Sequence, residues 1–200
     1  MLFRSTGLSY QWYKGTSPLP GQTGNRLVLS SVSAADAGTY SVLVSGVCGN
    51  AVTNSASLAV NQSVVVASIP VSLTNCPGTS ARFNVNATGT GLSYQWYKGG
   101  SPLPGQTGSR LVLSSVSASD AGTYSVVVSG VCGNAVTNSA SLTVNQSAVV
   151  ASAPMSVTNC LGTSARFNVN ATGTGLSYQW YKDGGPLPGQ TGSKIGRAHV

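Results

Sequence analysis

Ser117 to Val126 reads SASDAGTYSV. Its first half is polar and turn-forming. Its second half begins an alternation that places Tyr124, Val126 and Val128 on one side of the backbone. Period-two alternation marks a strand with one face toward a core. The same stretch stands at residues 33–42 as SAADAGTYSV, 84 residues earlier and with one change. Trp12, Trp96 and Trp180 keep that interval inside the string LSYQWYK. Tyr40 and Tyr124, Cys48 and Cys132, and Cys76 and Cys160 keep it as well. Laid over each other, residues 6–89 and 90–173 differ at 10 of 84 positions. A period this long, with so little drift, means one folded module copied in tandem. It exceeds a helical solenoid repeat and suits a small β domain.

Working outward from Tyr124, short alternating runs sit between turn clusters. In Arg82–Ala87, Phe83, Val85 and Ala87 share a face, and in LSYQWY Leu92, Tyr94 and Trp96 do. RLVLSSV contributes Leu111, Leu113 and, after a break in phase, Val116. SPLPGQTG between these runs is a proline and glycine turn region. Six or seven short strands in one period predict an all-β, two-sheet sandwich.

SASDAGTYSV resembles the immunoglobulin signature Asp-x-Gly-x-Tyr-x-Cys at the start of strand F, and YQWYKGG resembles the strand C form of the intermediate set. The resemblance covers the chain between its two ends. It implies a tyrosine corner formed by Asp36, Gly38 and Tyr40 and again by Asp120, Gly122 and Tyr124, the hydroxyl bonding back to the backbone. It implies a core of Val85, Trp96, Leu111, Leu113, Tyr124 and Val126. The family's inter-sheet disulfide would join positions 85 and 126, and both are Val here. The predicted core therefore holds by burial, at roughly 25 cal/mol per Å2 of apolar area.

The repeat fails at both ends. LFRS stands where the period calls for NATG, and KIGRAHV where it calls for RLVLSSV. Both strings match translations of sequencing-adapter bases and are set aside from fold reasoning. The organisation expected is an adapter-like artefact at 1–5, a partial module with strands C to G at 6–62, a complete module at 63–146, a partial module with strands A to C′ at 147–193, and a second artefact at 194–200. The natural residues then read as a piece from the middle of a longer array.

The formal net charge is +7. Without the terminal strings, seven basic residues and three aspartates remain, a balance of +4. The basic residues are spread along the chain, whereas a nucleic-acid footprint needs a patch or stripe. No stretch is apolar enough to span a membrane. Few charges and abundant Ser, Thr, Asn, Gly and Val suit extracellular β repeats.

Catalysis finds no foothold. The only histidine is His199 in the terminal string, there is no Glu, and no paired carboxylates occur. Acid–base and glycosidic chemistry need such groups. Asp36 and Asp120 belong to the signature and are read as structural. No Gly-x-Ser-x-Gly or phosphate-loop pattern occurs. No metal or other cofactor is expected, since no Cys-x-x-Cys is present.

Cys48 and Cys132 fall in GVCGN, the expected F–G hairpin, and Cys76 and Cys160 fall in TNC, the expected A′–B turn. Three arrangements are open: bridges between modules, a Cys76–Cys132 bridge within one module, and free thiols. Tyr124 and Cys132 are eight residues apart, roughly 26 Å of strand at about 3.3 Å per residue. A bridge needs Cα atoms within about 7 Å, which argues against Cys76–Cys132. Gln95, Tyr97 and Val127 face away from the Trp96 side and form a candidate contact face. Asn61, Asn86, Asn145 and Asn170 begin Asn-x-Ser/Thr triplets.

The function expected is non-catalytic: structural or spacer repeats of a large secreted or cell-surface protein, bacterial in origin. The partners expected are neighbouring modules of the same chain, and a surface glycan or protein if the modules are adhesive. Two alternatives stand beside it: adhesin-type modules binding through many weak sites, and accessory modules of a multidomain extracellular enzyme.

Overall fold

The structure is a computed structural model and describes residues 7–196. The described residues are nearly all β, with two short 3-10 turns at Ala34–Asp36 and Ala118–Asp120. They form two compact units. One takes in everything up to Val65 together with Thr88–Leu92 and Ser129–Ala135. The other holds Val66–Ala87, Ser93–Val128 and everything from Val136. This division does not follow the 84-residue period. Segment 61–65 lies along the two loops that join it: Thr90 N–H donates to Gln62 O at 3.0 Å and Val131 N–H to Thr90 O at 2.9 Å.

In the first unit, strands β1 (Ser9–Lys14), β2 (Ser17–Pro18), β3 (Gly38–Ser45) and β4 (Val52–Leu58) form one antiparallel sheet in the order β2-β1-β3-β4. Trp12 pairs with Val42 and Tyr40 with Ala56.

The central copy contains the most complete set of strands. These are β5 (Val65–Ser68), β6 (Leu73–Asn75), β7 (Ala81–Asn84), β8 (Asn86–Thr88), β9 (Ser93–Lys98), β10 (Ser101–Pro102), β11 (Arg110–Leu113), β12 (Gly122–Ser129) and β13 (Val136–Val144). One sheet runs β10-β9-β12-β13-β6, and β7 pairs with β11. Strands β6 and β13 are parallel, with Leu142 opposite Leu73 and Val144 opposite Asn75. Phe83, Trp96, Leu111, Val116, Tyr124, Val126 and Val128 are fully buried, and Val85 and Leu142 nearly so. Leu113 is half-buried. Phe83 stacks on Tyr124 with ring centroids 5.1 Å apart and lies 6.2 Å from Trp96. Three aromatic rings therefore fill the centre, with two valines where the family has its disulfide.

The rest of the second unit carries β14 (Val149–Ser152), β15 (Arg166–Asn168), β16 (Asn170–Thr172), β17 (Tyr181–Lys182), β18 (Gly185–Pro186) and β19 (Lys194–Gly196). Residues 194–196 belong to the string set aside, outside the bounds expected for the third copy. Yet β19 pairs with β15, Ile195 opposite Phe167, as Leu111 stands opposite Phe83 in β11 and β7. Lys-Ile-Gly keeps the polar–apolar phase of Arg-Leu-Val, so the backbone accepts it at that register. Residues 1–6 and 197–200 lie outside the described residues.

The first copy was expected to hold every strand from C to G. Arg26–Val32 repeats Arg110–Val116 residue for residue but forms no strand. β11 is a strand because β7 pairs with it, and among the described residues 7–65 no equivalent of β7 precedes Arg26. Pairing, more than local propensity, makes this segment a strand.

Candidate functional site

The signature residues build a corner at each copy. Asp120 is the last residue of its 3-10 turn, and its carboxylate accepts from Ser117 N and Ser117 Oγ, both at 2.8 Å. The Ser117 backbone N–H, and then its hydroxyl, hold the Asp120 carboxyl below its ordinary range. Asp36 repeats this with Ser33, with the same direction and causes. Tyr124 Oη donates to Asp120 O at 2.8 Å, and Tyr40 Oη to Asp36 O at 2.8 Å. Burial, then the nearby Asp120 charge, pushes the Tyr124 phenol up.

Sequence reasoning missed the residue that braces this corner. Lys98 Nζ donates to Ser119 O at 2.6 Å and lies 5.7 Å from the centroid of the Tyr124 ring. Lys14 does the same with Ala35 O and the Tyr40 ring. The ammonium thus meets both a carbonyl and an aromatic face. Its signal was available: each lysine lies two residues after a repeated tryptophan. Gly122, at φ 139°, passes its Cα beneath the Lys98 stem, a backbone shape that L side chains resist.

Gln95, Tyr97 and Val127 are all half-buried. The Gln95 amide is already engaged: Nε2 donates to Trp96 O at 2.9 Å and Leu103 O at 2.8 Å. Gln11 and Gln179 make the matching pair of bonds in the other copies. Gln95 therefore ties strand β9 to the turn after β10, which leaves Tyr97 and Val127 as the contact-capable part of that face. Trp96 Nε1 donates to Gly108 O at 2.8 Å, so the buried indole leaves no donor unpaired.

All four cysteines are unpaired in the structure. Cys132 Sγ lies 3.4 Å from Asn61 O and 3.5 Å from Ser63 Oγ, within the first unit. Thr79 N–H and Oγ1 both donate to Cys76 O in a tight turn. The Cys132 thiol thus meets residues 69 and 71 positions earlier in the chain, whereas at Cys76 the bonds reach the backbone carbonyl and not the thiol. Among the described residues no cluster of His, Cys, Asp or Glu could hold a metal ion, and no helix is long and apolar enough to cross a membrane. Asn61, Asn86 and Asn170 are exposed and Asn145 is half-buried.

One cavity of about 650 Å3 lies in the third copy, lined by Phe167, Trp180, Leu187 and Ile195 among others. The equivalent residues 84 positions earlier, Phe83, Trp96 and Leu111, are sealed in the core together with Tyr124 and Val126. The cavity is thus the space that a β12-type strand fills elsewhere. Its walls are those of an incomplete core.

Comparison with known proteins agrees with this geometry. Residues 54–145 match the family model described as immunoglobulin domain. The chain is 28% identical over 200 aligned residues to the muscle M-line assembly protein unc-89 of Caenorhabditis elegans, an alignment spanning 89% of this chain and 2% of that protein. It is similar in structure to the I-band fragment I67–I69 of titin, with a TM-score of 0.67, 21% identity, and coverage of 96% of this chain and 78% of that one. It is also similar to immunoglobulin domains 1–4 of Sidekick-1, with a TM-score of 0.55, 17% identity, and coverage of 96% and 60%. Residues 54–145 thus match the immunoglobulin domain family, and the chain has the fold of immunoglobulin-like domains in tandem.

Proposed function

We propose that the chain is a run of non-catalytic spacer modules from a large secreted or cell-surface protein. The proposed modules are 6–62, 63–146 and 147–193, and the terminal strings 1–5 and 194–200 are proposed artefacts. The observation that carries the reading is the parallel pairing of β6, the second strand of the central copy, with β13, its closing strand. Parallel neighbours at opposite ends of a module mean that the chain arrives at one end and departs from the other. Tension along the chain then loads their hydrogen bonds in shear, all together. Near-identity of the copies supports the same reading, because a spacer needs length and not variety. So does the seam that opens each copy: Gln62 N–H donates to Thr90 Oγ1 and Gln146 N–H to Thr174 Oγ1, each at 2.8 Å.

An adhesive role is less well supported, because the Gln95 amide is committed to its own hairpin. A bacterial source and a surface location belong to the proposal. They rest on composition and on the absence of catalytic or charged-patch chemistry in the sequence. The test is to stretch the full chain between two handles. The spacer reading expects a single abrupt rupture for the central copy, weakened in Asn75→Pro, which removes the N–H at a residue whose carbonyl already bonds Asn145 across the β6–β13 seam. Gradual yielding, unchanged by that substitution, contradicts it.

A further inference from the structure

Strands β7 and β11 turn Phe83 and Leu111 into the core and their alternate residues outward. Arg82 and Asn84 on β7, Asn86 at the start of β8, and Arg110 and Val112 on β11 are all exposed. Arg110 stands opposite Asn84, and Arg82 opposite Val112. The two arginines are therefore diagonal neighbours on one face, about 7–8 Å apart, a separation that long side chains bridge. In the sequence they stand 28 positions apart and form no basic run. The strand ladder is what brings them together.

This pair is the charge that the central copy leaves without a partner. Residues 63–146 hold three basic residues and one acid, a balance of +2. Lys98 bonds Ser119 O beside the Tyr124 ring, and the Asp120 carboxylate turns to Ser117. Among the described residues, neither the Arg82 nor the Arg110 guanidinium has a hydrogen bond or an ion pair. Like charges side by side on a sheet repel. Protection of the β11 edge explains one exposed charge there, and leaves its diagonal neighbour on β7 unexplained.

We propose that the outer face of β7 and β11 binds an acidic polysaccharide whose sugars carry carboxylates. A guanidinium is a planar fork that meets a carboxylate through two parallel bonds. The Asn84 and Asn86 amides beside it both donate and accept, which suits sugar hydroxyls. Val112, 41% exposed and opposite Arg82, offers an apolar spot for the C–H face of a sugar ring. Nucleic acid fits less well. Two charges give few phosphate contacts, and none of these outward residues is an aromatic on which a base stacks. The strings that supply the pair recur as Arg26-Leu27-Val28 and Ala165-Arg166-Phe167-Asn168. Repetition of a weak site raises total affinity. This face belongs to a different sheet from Gln95 and Tyr97, and the proposal stands apart from the spacer reading, which the stretching experiment tests separately.

The test is the affinity of the full chain for immobilised polygalacturonate in calcium-free buffer. Binding is expected, weakening as salt rises, because the charges are exposed. Arg82→Ser/Arg110→Ser should lower the affinity by at least about tenfold, the loss of a charge-assisted contact. Lys182→Ser removes another exposed cation and should change it by less than about twofold. Arg82→Lys/Arg110→Lys keeps the charge but not the fork, and should still lose about threefold or more. Because it leaves the surface charge intact, this variant decides the matter if the serine variant folds poorly. Absence of binding overturns the proposal. So does binding that the lysine variant leaves unchanged, and so does equal or tighter binding of single-stranded DNA at the same salt.

Discussion

Tyr124 Oη meets Asp120 O at 2.8 Å while the Asp120 carboxylate turns back to Ser117, so one residue serves two partners through different groups. The carboxylate shapes the turn, and the turn aims the carbonyl at the phenol. Lys98 closes the arrangement from the far side of the ring.

Stability should therefore fall in acid. The Asp36 and Asp120 carboxyls sit below their ordinary value of 3.8. A depressed carboxyl contributes stability that is present above the unfolded value and lost as pH falls through the folded one. Denaturant midpoints should decline as pH drops below about 4. Asp120→Asn should flatten part of that decline. Both carboxyls are solvent-exposed, so the effect should be modest and weaker in high salt. A decline that is unchanged in Asp36→Asn/Asp120→Asn would contradict this assignment.

Trp96→Ala should cost about 3–5 kcal/mol, the usual range for deleting a buried aromatic ring. Trp12→Ala and Trp180→Ala should cost clearly less, since both rings are half-buried. Chemical denaturation of the three variants of the full chain compares them directly. Equal losses at the three positions would mean that the central copy is no better packed than its neighbours.

Asn138 Nδ2 is buried on β13 without a hydrogen-bond partner, at the position opposite Val126. An unsatisfied buried donor costs about 1–3 kcal/mol. Asn138→Val places a strand-forming residue there and removes the donor, so it should raise the stability of the central copy. Calorimetry would show a higher melting temperature, and a lower one would mean that the amide has a role in the native state.

The strand phases around Tyr124 and Trp96 were legible because burial acts on every second residue. The tyrosine corner was legible because its spacing is local. The fate of Arg26–Val32 was not, since it is identical in sequence to a segment that forms a strand. Only the presence of a partner separates the two. Ile195 was obscured for the opposite reason: a foreign-looking string happened to keep the phase of the repeat. The Lys98 brace and the Gln95 tie link a strand to a turn or a neighbouring loop, and no periodicity announces such bonds. The thiol state of Cys132 depends on where segment 61–65 runs, which is a tertiary fact.

Hydrogen exchange on the full chain tests the account most directly. Peptides reaching Ala35 or Ser119 distinguish the two otherwise identical segments. In dilute solution the amides of Arg110–Leu113 should exchange slowly, protected by β7, while those of Arg26–Leu29 should exchange at nearly unfolded rates. Equal protection of both segments at high dilution would contradict the claim that partner strands, and not local sequence, decide where this chain is folded.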